Sequence, residues 1–330
     1  MLLDDPEGTA ARLLRSRWLL PAAGIVTLGL LLLASISWCN NRFALQVVSR
    51  LAEITASAEA KHSIGVAMPS GMEIRLYGTG LAERPPELAG ITKSPNGIRL
   101  TADKVVLDYI EVQGGTVLTF TTTQDGSPDL RLTGGGSIGL TLSGIIHQIG
   151  DDGHLTQLAV ADRPFGIDIA PTDTVDSARL VLVGGGGLKG IAIYDQPVRG
   201  LRFSRPRASD NDQRLPFQSE LINGTLQLLD TTQNMTLRPR ELVWLEDVSA
   251  TVARLDMTAD GVAVDASGHA RSIGLGPPRA GLPPRPDRDL TPSVLGYLMG
   301  QHELKLLWGV AITALAALWK ARQWGLKWRK

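Results

Sequence analysis

From Lys61 to Gly276 the chain alternates apolar and polar residues in short runs broken by Gly, Asp, Asn and Pro. That two-residue period constrains the fold more than any other feature, because successive side chains of a strand point to opposite faces of a sheet. The runs include MEIRLYGTG, IRLTADKVVLDYIEV, GTVLTFTTT, DLRLTGGGSIGLTLSGIIHQI, FGIDIA, ARLVLVGGGGLKGIAIY, GTLQLLDT and DVSATVARLDMTADGVAVDASGHA. Asn96-Gly97, Asp125-Gly126, Asp152-Gly153, Asn223-Gly224 and Asp260-Gly261 supply residues that tolerate positive φ where antiparallel strands reverse. The span 61–276 is therefore predicted to be a mainly β domain, an antiparallel β-sheet in the form of a jellyroll or an elongated curved sheet.

Composition narrows the surroundings of that domain. Gly 36 and Pro 19 in 330 residues make the chain turn-rich, yet below the roughly 25–30% that marks low complexity. Thirty-three basic residues balance thirty-three acidic ones, so the basic excess of a general nucleic-acid binder is missing and no nucleic acid is expected as a partner. The single cysteine, Cys39, excludes an intrachain disulfide and a cysteine-based zinc site. Six prolines fall between Pro277 and Pro292, which predicts a semi-rigid linker over 277–292. SRPRASDNDQRLPF, from Ser204 to Phe217, reads as a long loop or as a divider between two β halves.

The flanks read as membrane segments. Trp18 to Trp38 is a run of twenty-one uncharged residues, long enough for the roughly 20 needed to cross a bilayer core. It predicts a transmembrane helix over 18–38 behind a cytoplasmic segment, 1–17, whose Arg12, Arg15 and Arg17 set the orientation. Phe43, Val47, Leu51 and Ile54 then recur every three to four residues, predicting a helical extension over 39–60. Near the other end, Leu306 to Trp319 has fourteen uncharged residues, and snorkelling lysines extend it to a second membrane helix over 304–320. A juxtamembrane segment, 293–303, precedes it and a basic cytoplasmic tail, 321–330, follows. The competing reading lays this helix in the membrane interface. Trp18, Trp38, Trp308, Trp319, Lys320 and Arg322 are the expected interface residues, and the β domain is expected on the outer side.

Catalytic motifs are missing. The glycine run Gly184 to Gly187 lacks the Ser or Thr that a phosphate loop places after its lysine, and reads as a tight connection or bulge, as do Gly134 to Gly136. His62, His147, His154, His269 and His302 show no metal-ligand spacing and read as solvated loop residues. No Gly-x-Ser-x-Gly, His-Glu-x-x-His or Gly-x-Gly-x-x-Gly is present. Neither an enzyme nor a cofactor is expected, although dispersed carboxylates leave a carbohydrate-active enzyme as a third reading.

The stretch NGTLQLLDTTQNMTLRPRELVWLEDVSATVARLDMTADGVAVDASGHA resembles the AsmA-like envelope proteins, and IRLTADKVVLDYIEVQGG is similar to strands of the lipopolysaccharide-export protein LptC. The resemblance implies a bacterial inner-membrane protein with most of its chain in the periplasm. It also implies a groove-shaped sheet whose apolar face carries or guides acyl chains. Leu132, Ile138, Leu140 and Leu142 are the candidate groove residues; in a closed sandwich the same residues pack on one another. The expected function is non-enzymatic lipid or glycolipid handling, or envelope biogenesis, with membrane lipids as partners. The alternative is an accessory subunit of a secretion or polysaccharide-export complex that binds partner proteins by strand addition.

Overall fold

The structure, a computed structural model, describes residues 41–77, 80–81, 88, 90–91, 97–123, 125–171, 176–184, 190–206, 217–258, 260–279 and 285–294. Its contacts divide the chain into two units: a β body, Asn40–Leu229 with Gln233–Leu290, and a second unit that takes in Asp230–Thr232 and both ends of the chain. The predicted membrane helices at 18–38 and 304–320, and the six expected interface residues, lie outside the described residues. Among the described residues no helix is long and apolar enough to cross a membrane.

The strands are β1 (Asn41–Ser49), β2 (Leu51–Ala56), β3 (Ala60–Ala67), β4 (Glu73–Tyr77), β5 (Gly80–Leu81), β6 (Ile98–Val112) and β7 (Val117–Thr122). Next come β8 (Pro128–Thr133), β9 (Gly136–Ile149), β10 (Leu155–Ala170), β11 (Ser177–Val183) and β12 (Ala192–Arg202). β13 (Ser204–Pro206) and β14 (Phe217–Ser219) pair with each other. β15 (Leu221–Leu228), β16 (Gln233–Leu237), β18 (Ser249–Thr258) and β19 (Gly261–Ala270) join the main sheet, while β17 (Val243–Glu246), β20 (Ser272–Arg279) and β21 (Arg285–Asp289) form a smaller one.

The main sheet runs β16-β15-β1-β19-β18-β12-β2-β7-β8-β11-β4-β6-β9-β10-β5, with β3 also paired to β6. Strands that follow one another closely in the chain recur in it at a fixed interval. β1, β2 and β4 take the third, seventh and eleventh places, β7 and β6 the eighth and twelfth, β8 and β9 the ninth and thirteenth. β12, β11 and β10 take the sixth, tenth and fourteenth. In a flat sheet four places span about 19 Å, whereas the one residue between Ser49 and Leu51 bridges at most about 7 Å. The sheet must therefore wind round until strands four places apart meet end to end, a coil with four strands to the turn.

The inward face of that coil is the core. Phe43, Leu45, Ile54, Leu76, Leu107 and Phe120 are fully buried there, and β1 alternates buried and exposed residues along its length. This corrects the helical extension predicted over 39–60. Phe43, Leu45 and Val47 point inward from β1, the chain breaks at Arg50, and Ala52, Ile54 and Ala56 point inward from β2. The change of parity at the break turned two strand patterns into a helix-like spacing.

Two further boundaries shift. The 277–292 linker is in part strand, since Gly274 pairs with Asp289, Leu275 with Arg288 and Pro278 with Pro286. The prolines are tolerated because the ladder is irregular between Leu275 and Pro278 and β21 is an edge. Asn223-Gly224, predicted as a turn, lies inside β15, where Gly224 faces Val47 on one side and Leu237 on the other. A Cβ at Gly224 would lie 2.6 Å from the Gln46 carbonyl oxygen, so close strand approach demands the glycine. At the ends of the stretch Ser204 to Phe217, β13 and β14 pair with each other, and residues 207–216 between them lie outside the described ones.

Polar rows lock the outer face. Tyr109, Gly139 and Asp168 stand side by side on β6, β9 and β10. A Cβ on Gly139 would meet the Tyr109 ring at 2.2 Å, so the ring crosses the glycine and its hydroxyl donates to Asp168 at 2.5 Å. Burial, and then the neighbouring carboxylate, push the Tyr109 hydroxyl above its ordinary pKa. On β4, Arg75 stands directly opposite Arg99 of β6, a repulsive arrangement by itself. Glu73 neutralises it, its Oε1 accepting from Arg75 Nε at 2.6 Å and from Arg99 Nε at 2.7 Å.

Burial raises the Glu73 pKa, but the hydrogen bonds and charges of Arg99 and Arg75 outweigh it and hold the carboxyl below its ordinary 4.5. A folded value below the unfolded one contributes stability that is complete above the unfolded pKa and is lost as pH falls through the folded value. Urea denaturation at pH 7 should show Glu73→Gln less stable by about 1–3 kcal/mol. The gap between variant and parent should close as the pH is taken below about 4.

Candidate functional site

Leu132, Ile138, Leu140 and Leu142 are brought together, each with 0% exposure. They form part of one continuous apolar cluster with Leu107, Leu118 and Leu130, and none of them lines an open groove. The closed-core arrangement holds for these four, because a coil of four strands per turn turns their faces inward onto one another. Arginine substituted at any of them would place an unpaired charge in a sealed interior and report on folding rather than on a ligand.

Two surface features carry the chemistry. The first is the hairpin of β9 and β10, joined through the predicted Asp152-Gly153 turn. β10 pairs with β9 on one side, while on the other β5 reaches only Ile169 and Ala170. Among the described residues, the backbone of 155–168 thus has no strand along that edge. Asp162, Arg163 and Pro164 form a bulge opposite Ser143 and divide β10 into two arms. Charges and proline at that point are the usual means of blunting an edge.

The first arm is not blunted in this way. Val160 stands opposite Ile145, and Leu155 opposite Ile149, on the outward face. Val160 is 59% exposed, Leu155 61% and Ile145 39%, the largest apolar exposures of the hairpin. Leu158, the extra residue between Gln157 and Ala159, turns inward and packs against the core. Sequence reading found only FGIDIA in the second arm; LTQLAVA carries too weak an alternation, disturbed by the bulge at Leu158, to be recognised as a strand.

The second feature is a polar cleft of about 920 Å³. Arg50, at the break between β1 and β2, forms one wall with Thr121, Thr122 and Thr123 at the end of β7. Asp129 on β8 and Arg179 on β11 line the cleft too, with Arg205 and Gln218 from the β13–β14 hairpin and Glu220 just after it. Asp260, in the β18–β19 turn, completes the lining. These residues are up to 210 positions apart in sequence (50 to 260) and are brought together by the fold.

Most acceptors in the cleft are already used. Arg179 grips Asp129 through Nε at 2.9 Å and Nη2 at 2.8 Å, and this hydrogen-bonded pairing raises the arginine's pKa. Arg205 Nε lies 2.7 Å from Glu220 Oε1. In the adjoining β7–β8 turn, Asp125 accepts from Thr123 Oγ1, from Ser127 Oγ at 2.8 Å and from the Ser127 amide, which hold its carboxyl down at about 2. Arg50, by contrast, has no side-chain partner among the described residues, although its backbone is fixed to Glu220 and Thr122.

Three of the histidines occupy other positions than predicted. His62, His147 and His269 lie on strands; only His154 is in a turn, and His302 lies outside the described residues. His62 Nε2 donates to Gln196 Oε1 at 2.7 Å, tying β3 to β12 where they run alongside without ladder bonds. No group of three potential metal ligands occurs among the described residues. Comparison with protein-family models, with curated proteins and with solved structures gives no match to this chain.

Thr122 is 9% exposed and its Oγ1 lacks a hydrogen-bond partner among the described residues. Thr122→Val keeps the shape and removes the unsatisfied hydroxyl. Thermal unfolding should find the variant as stable as the parent or more stable by up to about 1 kcal/mol; a loss of more than that would mean the hydroxyl has a partner.

Proposed function

We propose that this chain is a non-enzymatic, membrane-anchored scaffold of a bacterial envelope assembly. Its β body holds a partner protein by strand addition to the first arm of β10. The observation that carries the reading is the edge at 155–161, which has no paired strand among the described residues and is flanked by Val160, Leu155 and Ile145. Unpaired strand backbone is satisfied best by another extended backbone, and the outward apolar residues give the added strand a face to pack on. A monomer that left this edge free would risk indiscriminate pairing, so a dedicated occupant accounts for its lack of charge.

The anchored, periplasmic setting is the one the apolar flanks and the likeness to AsmA-like and LptC-type proteins lead us to expect. An accessory role fits the structure better than an internal lipid channel does, because the four candidate groove residues are sealed. The reading needs no catalytic group, and neither of the two surface features requires a cofactor.

The test is a photo-activated crosslinker placed at Gln157 in the full chain in its native membrane, with the same group at the exposed Gln227 of β15 as control. The expected result is one defined protein adduct from position 157 and none from 227, with the attachment mapped to an extended segment of the other protein. Val160→Lys should lower that adduct at least about tenfold, a loss of about 1.4 kcal/mol in association. Adducts of equal yield in the Val160→Lys protein, or adducts to lipid alone, would contradict strand addition.

A further inference from the structure

We infer that the polar cleft between the outer face of β7, β8 and β11 and the β13–β14 hairpin is a binding site for a phosphoryl group carried on a sugar or a lipid headgroup. It does not depend on the strand-addition reading, since the two features use different residues.

The inference rests on the balance of donors and acceptors. Both oxygens of Asp129 are held by Arg179, and Glu220 is held by Arg205. Among the described residues, what remains without a partner in the lining carries positive charge, the whole guanidinium of Arg50 and the unused N–H groups of Arg205, beside the Thr121 hydroxyl and the Gln218 amide, each able to donate. A ligand that fits must bring acceptors and negative charge, and a phosphoryl group offers three oxygens at the geometry of an arginine fork. The volume of about 920 Å³ exceeds a bare phosphate and leaves room for the group that carries it. Asp260 is the one carboxylate of the lining without an arginine partner among the described residues, and from its exposed position on the β18–β19 turn it opposes an anion and limits affinity.

Binding is measured by calorimetry on the full chain in a neutral detergent, with inorganic phosphate, glucose 1-phosphate and dihexanoyl phosphatidic acid as probes. The expected result is saturable binding of at least one organic phosphate, stronger than that of inorganic phosphate. Arg50→Gln should weaken it about tenfold or more, the loss expected for a charge-assisted hydrogen-bond pair. Asp260→Asn should tighten it by removing the opposing charge. A preference for glucose 1-phosphate assigns a sugar phosphate, and a preference for the phosphatidic acid assigns a lipid headgroup. Arg50 is fixed by its backbone, with its amide on the Glu220 carbonyl at 2.9 Å and its own carbonyl receiving Thr122 N–H at 3.0 Å, so glutamine leaves the fold intact. Thr121→Ala, which touches no charge, should weaken binding as well. No saturable binding of any probe up to about 10 mM, or unchanged binding in Arg50→Gln, would overturn the assignment.

Discussion

Everything in the β body follows from one geometric constraint, that strands four places apart in the sheet are joined by short stretches of chain, a single residue between β1 and β2 and two between β8 and β9. A flat or gently curved sheet cannot meet it. The sheet has to coil, and coiling decides which face becomes interior. Leucines and isoleucines that alternate along each strand then close on each other from all sides, which is why Leu132, Ile138, Leu140 and Leu142 are sealed rather than displayed. Where strands approach most closely, glycine replaces side chains, as Gly139 does under the Tyr109 ring and Gly224 beside Val47.

Each break that lets a segment pass to its next place leaves the ladder locally incomplete. Those breaks are where the surface chemistry collects. Arg50 stands at the break between β1 and β2, and its neighbours in the polar cleft come from the β7–β8 turn, the β13–β14 hairpin and the β18–β19 turn. The coil also has to end somewhere, and among the described residues the outer edge of β10 meets only the two residues of β5. The cleft and the open edge are thus consequences of how the sheet winds and stops.

The β class and several hairpins were legible in the sequence. IRLTADKVVLDYIEV is β6 residue for residue, and the turns at Asp125-Gly126, Asp152-Gly153 and Asp260-Gly261 fall between paired strands. What misled was parity. A one-residue break at Arg50 changes which residues face inward, so Phe43, Val47, Leu51 and Ile54 mimic a helical period while lying on two strands. Local signals fail in the same way at Asn223-Gly224, where the glycine answers to a neighbouring strand instead of a turn. The cleft was illegible because its residues share no sequence neighbourhood. Nothing in a run of letters says that Arg50 lacks an acceptor among the described residues while Arg179 and Arg205 each have one.

The account's central claim is that the first arm of β10 is an open edge completed by another protein. Hydrogen exchange read by mass spectrometry tests it directly, on the purified full chain in mild detergent and on the same chain in its native membrane. The account predicts that alternate amides of 155–161, those not bonded to β9, exchange at near-coil rates in the purified chain and become protected in the native membrane, while 136–142 stay slow in both. Equal exchange of 155–161 in the two settings would contradict it.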